Sequence, residues 1–102
     1  MINPEINQKL DEIREILTKN KVEKAYLFGS VCTDKFNDKS DVDIIISFPE
    51  DLDPLIQGKN WWDILFSLED TLNKEIDLLT ERSITNSYLK AEIDSTKVEI
   101  LW

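Results

Sequence analysis

With 102 residues and a formal charge of -9, the chain is long enough for one domain with a modest core and too short for a second lobe. Such acidity argues against direct binding to DNA or RNA, which relies on Lys and Arg against phosphates; it fits divalent cations or a basic protein partner. The absence of histidine removes Ser-His-Asp triads, imidazole acid-base chemistry and most zinc sites.

Asn3-Pro4 makes a good helix start, with Asn as N-cap and Pro in the first turn. Ile6, Leu10, Ile13, Ile16 and Leu17 follow at helical spacing, which predicts a core-packing helix from about Pro4 to Lys19. Val22 to Phe28 reads as a strand, apolar enough to be covered on both faces, and Gly29-Ser30 breaks it. The polar stretch from Thr33 to Ser40 is expected as a loop. Lys35 and Lys39 there are candidates to reach a triphosphate, or plain solvated lysines. Val42 to Phe48 predicts a second, central strand. Pro49 to Asn60 is expected as a loop punctuated by two prolines and Gly58, its acidic run Glu50, Asp51 and Asp53 solvated.

Trp61, Leu65, Leu68 and Leu72 predict a helix from about Trp61 to Asn73, with Asn60 and Asp63 resembling a capping box. Trp62 and Phe66 lie off its main stripe. Lys74 to Thr80 is a third strand carrying Asp77 between Ile76 and Leu78. Ser83 is expected to cap a last helix through Ile84, Tyr88, Ala91 and Ile93, and Val98 to Trp102 closes the chain as a short strand or docking tail. The expected class is α+β, a mixed sheet flanked by about three helices in one domain over residues 1-102. No apolar run approaches the roughly 18 residues of a membrane span. MINPEINQKL lacks the regions of a signal peptide, and the single Cys32 fits a reducing compartment as a buried, inert thiol. A cytoplasmic location is therefore expected.

The chemistry concentrates in AYLFGSVCTDKFNDKSDVDIIISF, Ala25 to Phe48. Residues two apart on a strand share a face, so Asp41 and Asp43 should point the same way. Paired carboxylates repel unless a cation lies between them, and hard oxygens suit Mg2+, which fills its shell with water and substrate phosphates. A calcium loop is excluded, since Ile45 and Ile46 occupy positions that an EF-hand reserves for ligands or glycine. Gly29 lets the backbone approach a ligand, and backbone N-H groups with the Ser30 hydroxyl can hold phosphate oxygens. Metal and phosphate together point to nucleotidyl transfer.

Gly29-Ser30, ten intervening residues and Asp41-Val42-Asp43 resemble the GS-x10-DxD signature of the minimal nucleotidyltransferases of the polymerase-β-like superfamily. Glu75-Ile76-Asp77-Leu78-Leu79 resembles the later family strand with the third catalytic carboxylate, which gives that role to Asp77. The resemblance spans nearly the whole chain and implies a small palm-like fold. It also implies a site in which Asp41, Asp43 and Asp77 hold two Mg2+ ions and Gly29 and Ser30 bind ATP. Family members of this type act as antitoxins, adenylylating a tyrosine of a HEPN-domain ribonuclease toxin. The sequence departs from the family where Val31-Cys32-Thr33-Asp34 replaces a common Ala, Arg and Gly pattern. Two alternatives stand beside this reading: a non-catalytic docking antitoxin, and a small-molecule nucleotidyltransferase.

Overall fold

The computed structural model describes residues 2-101. Four helices and four strands follow in the order α1 (Pro4–Asn7), α2 (Leu10–Lys19), β1 (Lys24–Phe28), β2 (Val42–Ser47), α3 (Pro54–Leu72), β3 (Ile76–Thr80), α4 (Ser87–Thr96) and β4 (Val98–Leu101). Short 3-10 turns lie at Gly29–Cys32 and Glu81–Ser83. The sheet order is β3-β2-β1-β4, with β1 antiparallel to both β2 and β4, and β2 parallel to β3. The expected α+β class with a mixed sheet is what forms. Among the described residues no helix is long and apolar enough to cross a membrane.

Strand alternation divides the side chains between two layers. Ala25, Leu27, Val42, Ile44, Ile46, Ile76 and Leu78 point into the main core, against Ile6, Leu10, Ile13 and Leu17 from α1 and α2 and Ile64, Leu68 and Leu72 from α3. On the other face Phe28 and Ile45 meet Ile93 of α4, with Leu79, Ile84 and Leu89 at the margin. That second layer covers only part of the sheet. Asp43 and Asp77 lie on this thinly covered face.

Three helix boundaries differ from the sequence-based expectation. The single helix expected over residues 4-19 is two. Asn3 caps α1 by accepting from the N-H groups of Glu5 and Ile6. The Lys9 N-H then folds back to the Ile6 carbonyl, while Lys9 Nζ donates to the Thr71 carbonyl 2.9 Å away near the end of α3. The loop expected to Asn60 is already helix from Pro54. Asp53 caps α3 through Leu55 N-H at 2.8 Å, and Pro54 occupies the first turn, where a missing N-H costs nothing.

Asn60 is therefore no cap. It is buried inside α3, its Nδ2 donates to the Asn20 carbonyl at 3.0 Å, and Asp63 pairs with Lys59. Asn86, not Ser83, caps α4 by accepting from Tyr88 and Leu89 N-H, and Ser83 Oγ donates to the Thr80 carbonyl. The closing strand is as expected through Leu101, and Trp102 lies outside the described residues. Trp62 and Phe66 are exposed on α3 and stacked, with ring centroids 5.7 Å apart.

Candidate active site

β1 ends at Phe28, which pairs in register with Asp43 of β2, and Asp43 pairs in register with Asp77 of β3. Neighbouring strands lie about 4.8 Å apart, so Asp43 and Asp77 sit side by side on one face. Asp43 is half-buried and Asp77 is exposed. Asp41 stands just before the strand, which begins at Val42, and it is exposed too.

Gly29 follows β1 with φ +74°, a left-handed conformation that glycine adopts without penalty. A Cβ built there would meet Asp43 Oδ2 at 2.5 Å. The missing side chain thus leaves the space that the Asp43 carboxylate fills. Gly29 N-H is not turned to a ligand, since it donates to Thr96 Oγ1 of α4 at 2.9 Å. Gly29 thus supplies room for the Asp43 carboxylate, while its own amide is engaged by α4. Ser30 is half-buried, and its carbonyl accepts from Thr33 N-H and Thr33 Oγ1.

Electrostatics converge on one group. Burial, then the charges of Asp77, Asp41 and Glu92, raise the Asp43 carboxyl to about 6 from an ordinary 3.8. Glu92 lies on α4, one helical turn before Thr96, and had no signal in the sequence. Cys32 is buried, and burial raises its thiol, in keeping with an inert side chain. Lys35 and Lys39 are exposed on the connecting loop. On the same sheet face a cavity of about 230 Å3 opens beneath α4, lined by Tyr26, Ile45, Ile84, Ile93, Lys90 and Lys97.

Among the described residues no group of three or more His, Cys, Asp or Glu side chains is arranged to hold a metal ion by itself. The three aspartates are neighbours without forming a closed ligand set. Their chemistry nonetheless suits Mg2+. The donors are hard oxygens only, and Asp43 is desolvated beside like charges, the situation a cation relieves. Mg2+ commonly takes one or two carboxylates and completes its shell from water and substrate phosphates, so an open arrangement fits it.

The family model described as Polymerase beta, Nucleotidyltransferase matches residues 11-101. A candidate protein adenylyltransferase of Methanocaldococcus jannaschii is 35% identical over 99 residues, covering 94% of this chain and 98% of the relative. A solved toxin-antitoxin structure with AMP-PNP superimposes with TM-score 0.70 at 25% identity, over 91% of this chain and 72% of the other. The same fold occurs in a solved complex of a tri-AMPylated HEPN toxin of Shewanella oneidensis with its MNT antitoxin. There the TM-score is 0.65 at 23% identity, covering 94% of this chain and 71% of that one.

Proposed function

We propose that this chain, which belongs to the polymerase beta nucleotidyltransferase family, transfers AMP from ATP to a tyrosine hydroxyl of a HEPN-domain toxin and so acts as its antitoxin. The name of the relative supports a protein acceptor, and the toxin-antitoxin complexes among its structural neighbours support the partner. One observation carries the reading: Asp43 and Asp77 stand side by side, with Asp43 set into the space left by Gly29.

Asp41, Asp43 and Asp77 are the residues to hold Mg2+. When bound, the ion supplies charge neutralisation for the triphosphate and the leaving pyrophosphate. The chain's own groups do the rest. Ser30 and the turn after Gly29 hold phosphate oxygens. Asp77, exposed at the front of the site, takes the proton of the acceptor hydroxyl as its oxygen bonds to the α-phosphorus. The bond from that phosphorus to the bridging oxygen breaks, and pyrophosphate leaves. A partner protein brings the hydroxyl to the open sheet face, as the toxin-antitoxin complexes among the structural neighbours support.

A second reading is favoured by the turn itself. Between Lys24 and Lys35 no basic residue occurs, so Val31-Cys32-Thr33-Asp34 offers no cation to the triphosphate. The alternative is an antitoxin that neutralises its partner by docking alone. Incubation with alpha-labelled ATP, Mg2+ and the HEPN partner decides between them. Label on the partner with wild type, lost with Asp43→Asn, supports transfer. Partner captured equally by both versions and left unlabelled would support docking.

A further inference from the structure

We infer that Thr96 is a positioning residue of the transfer site, its hydroxyl clamping the Gly29 amide so that the Gly29-Ser30 turn stays packed against Asp43. The inference rests on the reading of that turn as part of the nucleotide site. Gly29 N-H donates to Thr96 Oγ1 at 2.9 Å across 67 residues of sequence, and Thr96 Oγ1 in turn donates to the Glu92 carbonyl at 3.0 Å. A hydroxyl with both its donor and an acceptor position engaged has its orientation fixed. Thr96 therefore receives the Gly29 amide in one direction only.

The clamp is seated on a packed element. α4 is anchored by Ile93, which is buried against Phe28 and Ile45, the residues beside the turn and beside Asp43. Its last turn is closed by Lys97 N-H to the Ile93 carbonyl at 2.8 Å. Thr96 and Glu92 are four residues apart and so lie on the same side of the helix. That side faces the site, since Glu92 contributes to the charge felt by Asp43.

Gly29 is the piece that needs holding. At φ +74° its peptide has no side chain to anchor it, and Asp43 Oδ2 lies 2.5 Å from where a Cβ would be. A swing of the Gly29 peptide therefore moves the wall against which Asp43 is placed. Misplacing reacting groups by around 1 Å costs on the order of 100-fold in rate, so loss of the clamp should be read in turnover more than in folding.

Thr96→Val keeps the shape and removes the hydroxyl, while Thr96→Ser keeps the hydroxyl and removes a methyl. The chain has only two glycines, so the Gly29 amide is readily followed by nitrogen-15 NMR, with Gly58 in α3 as internal control. In Thr96→Val we expect Gly29 hydrogen exchange to quicken about tenfold and Gly58 to be unchanged. The turnover number for AMP transfer should fall about tenfold, with KM for ATP within about threefold and melting little changed. Thr96→Ser should match wild type in both. Unchanged Gly29 exchange in Thr96→Val, turnover within twofold of wild type, or equal loss in Thr96→Ser would overturn the assignment. Thr96→Ala makes the same comparison if the valine variant does not fold. Should wild type transfer no AMP, the proposed function has failed, and the exchange measurement alone still decides whether the clamp exists.

Discussion

Replacing Asp43 with Asn tests how the site treats charge. The carboxyl is raised from 3.8 to about 6, first by burial and then by Asp77, Asp41 and Glu92. A raised carboxyl gives stability that is complete below the unfolded value and lost as pH climbs through the folded one. The loss therefore develops between about pH 4 and pH 6 and is constant above. A shift of roughly two units corresponds to about 2.7 kcal/mol, and partial exposure to water reduces this to about 1 to 1.5 kcal/mol. Asn cannot ionise, so Asp43→Asn should escape this loss.

The assay is urea or thermal unfolding in EDTA from pH 4 to pH 8. Wild type and variant should be close at pH 4. By pH 7 the variant should be ahead by about 1 to 1.5 kcal/mol, several degrees in melting temperature for a domain of this size. AMP transfer should be abolished. A variant no more stable than wild type at pH 8, or a gap that does not change with pH, would refute the argument that Asp43 is held in an uncomfortable charged state. Saturating Mg2+ should raise the melting temperature of wild type and leave Asp43→Asn nearly unmoved, because only a ligand bound to the folded state adds stability.

Gly29→Ala should lose about 2 to 4 kcal/mol in denaturant unfolding, along with activity, since a left-handed alanine and a Cβ against Asp43 are both costly. Gly58→Ala should instead gain up to about 1 kcal/mol, because its Cβ enters open space on a helix. Asp77→Asn should lower AMP transfer by about 100-fold, leave unfolding unchanged at pH 4 and make the chain slightly more stable above pH 6. NMR titration of Asp43 in that variant should move toward the ordinary carboxylate range, because the second-largest cause of its shift is gone. Asn60→Ala should cost about 1 to 2 kcal/mol in chemical unfolding, as it leaves the Asn20 carbonyl without its donor.

Strands and class were readable because apolar runs such as Val42 to Ser47 suit a central strand, even though the second face of this sheet is covered only in part. Helix limits were less so, some for local reasons and some for long-range ones. Pro54 and Gly58 were read as punctuation, yet Pro is favourable in a first turn, and one exposed Gly within 19 helical residues costs only about 1 kcal/mol. Asn60 looked like a cap because Asn often is one. Its actual use, a long-range bond to Asn20 across 40 positions, leaves no local mark. The break between α1 and α2 likewise depends on Lys9 reaching Thr71, which only packing brings near.

The site divides along the same line. Gly29 and Asp43 stood out in the sequence as a break after an apolar run and an acid opening the next one, whereas Asp77 stood out only through its resemblance to the later family strand. What fixes them relative to one another was not legible there. The strands determine where Asp43 and Asp77 stand, but a glycine turn at a strand end has no side chain to hold it. In this fold that task falls to the end of α4, whose Thr96 hydroxyl meets the Gly29 amide. The same helix turn adds Glu92 to the negative field around Asp43. The end of α4 thus bears on the site twice, through a hydrogen bond to the turn and through charge on the carboxylate. Perturbing Thr96 should loosen geometry at constant charge, whereas Asp43→Asn relieves charge at constant geometry. If both variants changed stability and turnover in parallel, this separation of roles would be wrong.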